Sequence, residues 1–358
     1  MRILLLSAYN AVSHQYWIEG LVGQFPEYHW EILTLPDRHF SWRLRGNSLT
    51  WAMGNKRELL EQHWDLILAT SMVDLSSLRG MVPALGQIPT LVYFHENQFA
   101  YPRSQYQTHS PVEPQLQSIY TALCADRLLF NTEYNRTTFL DGAKQLLKKL
   151  PDHVPAGIVE RLESNSEVLP VPLAHDVPSH SAKRQKSALQ ITWAARWEYD
   201  KGPERLLSIL QSLEFRGIDY QLCLLGQAFR QRPKEFDQIE SLFCHRMVQF
   251  GFAESRKVYL NWLLQSDVIL STSHHEFQGL SVLEAVACGA VPVLPNEQSY
   301  PCLFGREYLY DGDEEAVEQL VQLAKAERGS VAPSVDRFRW EHCRGRYREL
   351  LESATERG

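Results

Sequence analysis

Two short stretches carry side chains whose types and spacing suit chemistry on a charged substrate. In the first, Arg196 and Lys201 flank Trp197-Glu198-Tyr199-Asp200, after the apolar run Gln190–Ala195 and before a helical pattern that begins at Gly202. Two cations beside the free amides of a helix N-terminus make a site for a diphosphate. Taken alone, the same spacing fits a solvated loop with an ordinary ion pair. In the second, the run Asp267–Thr272 leads into Ser273-His274-His275-Glu276-Phe277-Gln278-Gly279-Leu280, and Glu284 follows eight residues after Glu276. Glu276 belongs on a strand-to-helix loop and Glu284 inside the helix, with the amides of Gln278 to Ser281 facing the same crevice. Gly279 admits a ligand close to the backbone, and a helix carboxylate is suited to clasp the two adjacent hydroxyls of a ribose. Each acid alone reads as a cap or a surface charge. The loop and the pair together, at matching strand ends, favour a ligand site.

Other candidates are less specific. His95 ends the apolar run Pro89–His95 and opens Glu96-Asn97-Gln98-Phe99-Ala100-Tyr101-Pro102. Asn97 and Gln98 have the donors and acceptors to read hydroxyls, or to pin a loop. Ser13 and His14 lie on the loop after the first apolar run, Ile3–Ser7. Arg38, Arg43, Arg45, Lys56 and Arg57, interleaved with Trp42 and Trp51, suit phosphate contacts and base stacking; the alternative is a surface loop with buried tryptophans. Lys183, Arg184 and Lys186 could add to the rim. Asp311-x-Asp313 and His274-His275-Glu276 resemble metal clusters. The first reads as a solvated turn, and neighbours on a strand end point to opposite sides, so no metal is expected. Six cysteines without CxxC spacing argue against zinc and disulfides and suit a reducing cytoplasm.

The elements that must position these groups are legible as an alternation. In the first half, Ile3–Ser7, Trp30–Thr34, Asp65–Ala69, Pro89–His95 and Asp126–Asn131 read as strands separated by amphipathic helices around His14–Phe25, Leu49–His63, Gln115–Cys124 and Glu133–Leu150. Val168–Pro178 carries three prolines and reads as a domain connection. The alternation then restarts with Gln190–Ala195, Tyr220–Leu225, Val248–Phe252, Asp267–Thr272 and Ala290–Leu294. This pattern predicts an α/β protein of two facing Rossmann-like domains with parallel sheets, residues 1–175 and 187–335, with a helix over 336–358 packing back across the junction. At 44% hydrophobic and 22% charged, the 358-residue chain is ordinary globular material. No apolar run reaches the roughly 18 residues that span a bilayer, and no membrane partner is expected. A net charge of −7 confines any nucleic-acid contact to a local patch.

Arg196-x4-Lys201 followed by Glu276-x7-Glu284 resembles the donor site of retaining GT-B glycosyltransferases of group 1, with Gly226 after Leu222-Cys223-Leu224-Leu225 at the family's glycine strand end. The resemblance implies that Arg196 and Lys201 bind the donor diphosphate, that Glu284 binds the ribose, and that Glu276, Phe277, Gln278, Gly279 and Leu280 hold the transferred sugar. The first loop departs from the usual Gly-Gly pattern: it reads Tyr9-Asn10-Ala11-Val12-Ser13-His14. It is instead similar to the loop of tRNA-queuosine mannosyltransferases, as are Leu35-Pro36, Trp42-Arg43-Leu44-Arg45 and, most specifically, the string Tyr93–Pro102. That resemblance implies mannose transfer from GDP-mannose to the cyclopentene diol of queuosine in the anticodon of tRNA(Asp). It implies catalytic roles for His95, Glu276, Arg196 and Lys201, and acceptor contacts from Ser13, His14, Asn97, Gln98, Arg43 and Arg45. The nucleotide sugar is a co-substrate and no resident cofactor is expected. Competing readings keep the enzyme but give it a lipid or glycan acceptor, or make the chain a non-catalytic nucleotide-sugar or RNA-binding module.

Overall fold

A computed structural model describes residues 1–101, 111–179, 188–228, 232–326 and 332–355. The chain divides into two units, Met1–Pro172 together with Trp340–Gly358, and Leu173–Arg339. Each contains one six-stranded sheet, and all the pairings within both sheets are parallel.

In the first unit the strands are β1 (Arg2–Ser7), β2 (His29–Thr34), β3 (Leu66–Thr70), β4 (Thr90–Phe94), β5 (Arg127–Phe130) and β6 (Ser166–Val168), in the order β2-β1-β3-β4-β5-β6. β3 and β4 are buried at every position, as parallel strands covered on both faces must be. The order reverses direction between β1 and β3. Ligands of doubly wound sheets bind outside the carboxyl strand ends at such a point, which lends weight to the residues just after β1.

In the second unit β7 (Leu189–Ala194), β8 (Tyr220–Leu225), β9 (Met247–Gly251), β10 (Val268–Leu270), β11 (Val291–Pro295) and β12 (Leu309–Tyr310) lie in the order β12-β11-β10-β7-β8-β9. This is the 3-2-1-4-5-6 arrangement of a Rossmann sheet, with its switch point between β7 and β10. The loops after those two strands are the ones that carry Arg196, Lys201 and Glu276.

The two units divide within the proline-rich run, where Leu173 and Val177 are buried in the second unit's core and the Leu173 amide donates to Phe338 O at 2.7 Å. β6 and β12, at 3 and 2 residues, are too short to leave a pattern in the sequence. The last helix spans Trp340–Thr355 and belongs to the first unit. There Tyr347 Oη accepts from Trp17 Nε1 at 3.1 Å and donates to Pro170 O at 3.0 Å, Tyr28 Oη donates to Glu352 at 2.7 Å, and Arg348 pairs with Glu27 at 2.6 Å.

Candidate active site

Lys201 is the centre of the second unit's cluster. The chain turns at Gly202, whose φ of 64° is left-handed and where a Cβ would lie 2.1 Å from Thr272 O. Only glycine fits there, and the close approach locks the β7 loop against the end of β10. Pro203 then opens the helix Pro203–Phe215 from its first turn. The Lys201 side chain is 8% exposed. Its Nζ donates to His275 O at 2.7 Å and lies 3.2 Å from Glu276 Oε2 and 3.6 Å from Asp200 Oδ2. Arg196, about half exposed, pairs with Glu198 at 2.8 Å and approaches Asp200 at 3.7 Å.

Glu276 faces the opposite way with its other oxygen. Oε1 accepts from the amides of Phe277, Gln278 and Gly279 at 3.1, 3.4 and 3.0 Å. The carboxylate gathers the three loop amides that precede the helix Leu280–Ala287, whose entry residue Gly279 has φ 72°, so these amides are engaged within the chain. Burial pushes its pKa up, but the Lys201 charge and the Gly279 amide outweigh that and hold it below the ordinary value. Phe277, Gln278 and Gly279 are buried beside it, and Leu280 is partly so. Gly226 also admits no side chain: a Cβ there would lie 2.0 Å from Ala195 O and 2.5 Å from Trp197 Nε1.

Glu284 lies one helical stretch deeper, 4% exposed. Oε1 accepts from Arg256 Nη2 at 2.5 Å and Oε2 from Tyr259 Oη at 3.0 Å. Arg256 is itself gripped by both oxygens of Asp176, at 3.0 and 3.1 Å. The expected ribose carboxylate is therefore held by a guanidinium and a phenol, with lone pairs remaining for a diol.

Sequence reasoning overlooked Arg256 and Tyr259, on the helix Arg256–Gln265, and Asp176, in the proline-rich run. It also overlooked Asp200. That carboxylate is 4% exposed and has no hydrogen bond to either oxygen among the described residues, only the nearby charges. His275, on the same wall, is kept neutral: burial and Lys201 lower its pKa to about 4. His274 turns away and pairs with Glu204, as expected of adjacent residues. Asp311 accepts from Asn296 and pairs with Arg306. Among the described residues no group of three or more His, Cys, Asp and Glu side chains could hold a metal ion.

In the first unit two strand ends meet through histidines. The helix Val12–Gln24 starts earlier than the sequence suggested, so Ser13 and His14 lie in its first turn and not on a loop. Ser13 is exposed and His14 is fully buried. The His14 ring stacks on His95 with centroids 4.2 Å apart, and its Nδ1 stands 3.5 Å from Ser7 Oγ. Trp17 meets His95 edge-on at 5.0 Å and stacks on Tyr93 at 4.5 Å. Burial lowers the His14 pKa to about 4, and burial together with the His14 charge pushes that of His95 well below normal. Neither Nε2 has a partner among the described residues.

Several acceptor expectations meet a physical obstacle. Asn97 is 1% exposed and its amide is consumed internally. Nδ2 donates to Asn135 O, Asn135 Oδ1 and Thr138 Oγ1 at 2.8–3.0 Å, and Oδ1 accepts from the amides of Phe99 and Ala100. It pins the loop. Among the described residues the Gln98 side chain reaches Met72 Sδ, at 3.8 Å. His14 supports His95 from a site closed to solvent. Arg43 is buried and donates to Pro36 O at 3.2 Å, while Arg45 pairs with Asp74 at 3.1 Å and Glu113 at 3.3 Å. The Arg43 guanidinium is committed inside the protein, whereas that of Arg45 is half exposed and makes its ion pairs at the surface. Lys183, Arg184, Lys186 and Pro102 lie outside the described residues.

The fold and the paired donor loops are those of a GT-B glycosyltransferase. Residues 179–326 match the family described as glycosyl transferases group 1, and residues 2–173 match the tRNA-queuosine alpha-mannosyltransferase N-terminal family. The tRNA-queuosine alpha-mannosyltransferase of Drosophila melanogaster is 30% identical over 335 residues, covering 91% of this chain and 88% of the fly protein. The chain belongs to the tRNA-queuosine alpha-mannosyltransferase family. More distantly, the GDP-mannose:cellobiosyl-diphosphopolyprenol alpha-mannosyltransferase of Xanthomonas campestris is 24% identical over 44% of the chain and 45% of its own length. Among solved structures, sucrose-phosphate synthase from Thermosynechococcus elongatus superposes with a TM-score of 0.71 at 14% identity over 100% of both chains. Anabaena Alr3699/HepE in complex with UDP gives 0.67 at 13% identity, over 99% of this chain and 100% of that one. At such identities these two speak for the fold alone.

Proposed function

We propose that this glycosyltransferase moves mannose from GDP-mannose to the cyclopentene diol of queuosine in tRNA(Asp), with retention at the sugar carbon. The observation that carries the reading is the Lys201 ammonium, buried at the β7/β10 switch point and tied to Glu276 at 3.2 Å. Breaking the bond from C1 to the β-phosphate oxygen leaves negative charge on the diphosphate and positive character on the sugar ring. Lys201 and Arg196 stabilise the first without reorganising, a contribution whose loss typically costs about 10²–10³ in rate. Glu276, held ionised, faces the transferred sugar, and Glu284 takes the ribose diol. The acceptor oxygen bonds to C1 on the face the diphosphate leaves, and the departing phosphate takes its proton. His95, neutral and fixed by the rings around it, contacts the sugar as an uncharged hydrogen-bonding group.

The donor assignment draws support from the printed names of both sets of relatives, one a mannosyltransferase and the other using GDP-mannose. A lipid acceptor is less favoured, because the polyprenol relatives match under half the chain while the tRNA-queuosine relative matches 91%. No described helix is long and apolar enough to cross a membrane. The test is incubation with queuosine-containing tRNA and a panel of nucleotide sugars, followed by mass spectrometry of the nucleosides. A hexose added to queuosine only from GDP-mannose supports the reading, and unmodified queuosine with every donor overturns it.

A further inference from the structure

The basic segment of the first unit contains two tryptophans with opposite fates. Trp51 is 2% exposed and in the core, whereas Trp42, on the same helix Phe40–Ala52, is 53% exposed. The reason it lies as it does is Gly46, one turn further on. A Cβ at Gly46 would sit 2.4 Å from Trp42 Cε2 and 2.6 Å from Cδ2 and Cζ2. The indole therefore rests directly on bare helix backbone, and much of its surface stays open to solvent. A mid-helix glycine costs about 1 kcal/mol relative to alanine, and here it seats an exposed ring. The helix begins at His39, one of two non-glycine residues with positive φ among those described, at φ 55°. Such strain gathers at ligand contacts.

The stretch of chain that carries the ring is basic. From Arg38 to Arg57 there are five lysines and arginines and no Asp or Glu, in a chain with 43 acids and a net charge of −7. Arg43, Arg45 and Arg57 are committed to partners within the fold. Arg38 and Lys56 are exposed and in no ion pair among the described residues. An exposed aromatic face on a basic stretch, with Arg38 four residues before it, suits an unpaired nucleobase and its phosphates, since every base has a face to stack and every linkage a charge to neutralise.

We propose that Trp42, seated on Gly46, is a stacking platform for an unpaired base of the RNA acceptor. This rests on the tRNA reading above. The test measures binding of a fluorescein-labelled, queuosine-containing anticodon stem-loop by anisotropy at fixed low salt. Trp42→Ala weakens binding about tenfold, in line with the roughly 1–3 kcal/mol that base stacking contributes, and Trp42→Phe recovers most of it. Gly46→Ala is the sharper variant. Its helix propensity is better, so its melting temperature is no lower than the parent's, yet its methyl group evicts the indole and RNA affinity falls. Wild-type affinity in both Trp42→Ala and Gly46→Ala overturns the platform while leaving the tRNA reading intact. Failure of the unaltered protein to bind the stem-loop overturns both.

Discussion

The imidazoles of His14 and His95 lie face to face, 4.2 Å between centroids and 25° between planes, at the ends of two strands separated in the sheet by a third. Two stacked rings in a buried site tolerate no charge, so both are neutral in the folded protein. The unfolded chain binds protons at these groups near pH 6.5, while His14 and His275 in the folded chain do so only near 4. The unfolded state therefore holds more protons between those values, and stability falls as pH drops from about 6.5 to 4. Thermal melting across this range shows the decline, and it is shallower in His14→Phe, which keeps a stacking ring without a titrating nitrogen.

Lys201→Ala lowers turnover by about 10²–10³, measured as hexose transferred to tRNA, because it deletes a fixed cation facing the diphosphate. It also leaves Asp200 and Glu276 without their shared counter-charge. Circular dichroism establishes that the variant is folded, and unchanged turnover in a folded variant removes the diphosphate role.

Glu284→Gln weakens GDP binding about tenfold by calorimetry. Glutamine keeps the shape but exchanges one accepting oxygen for a donor, which faces Arg256 or Tyr259 unfavourably as well as the ribose. Undiminished GDP affinity would end the ribose assignment.

Asn97→Ala destabilises the protein by about 2–3 kcal/mol in urea denaturation, since it strands the buried amides of Phe99 and Ala100 along with Asn135 and Thr138. A variant that keeps its stability but loses acceptor affinity would return Asn97 to the acceptor contacts.

How far the site could be read beforehand depended on distance along the chain. Arg196, Lys201 and Glu276 were legible because each follows an apolar strand by a few residues, and parallel sheets put such positions on one edge. The partners of Glu284 were not: Arg256 lies 28 residues away and Asp176, which holds that arginine, a further 80. The helix Phe40–Ala52 was hidden at its start, because His39 offers no side-chain cap to its first turn. Without that helical phase, Arg43, Asn47 and Trp51 could not be placed on one buried face, and Arg43 passed for a surface cation. The early start of Val12–Gln24 was hidden in the same way, since Ala11 provides no cap.

The hydrogen bonds that tie Tyr347 to Trp17 and Pro170 make the first unit discontinuous in sequence: its helix Trp340–Thr355 follows the whole of the second unit along the chain. Exchanging halves between relatives as simple cassettes, cut once near residue 172, would strip the amino-terminal portion of Tyr347 and leave Trp17, the ring that braces His95, without its phenol. Chimeras should carry their own terminal helix with them, and a nascent chain completes this unit only after the whole intervening one has left the ribosome.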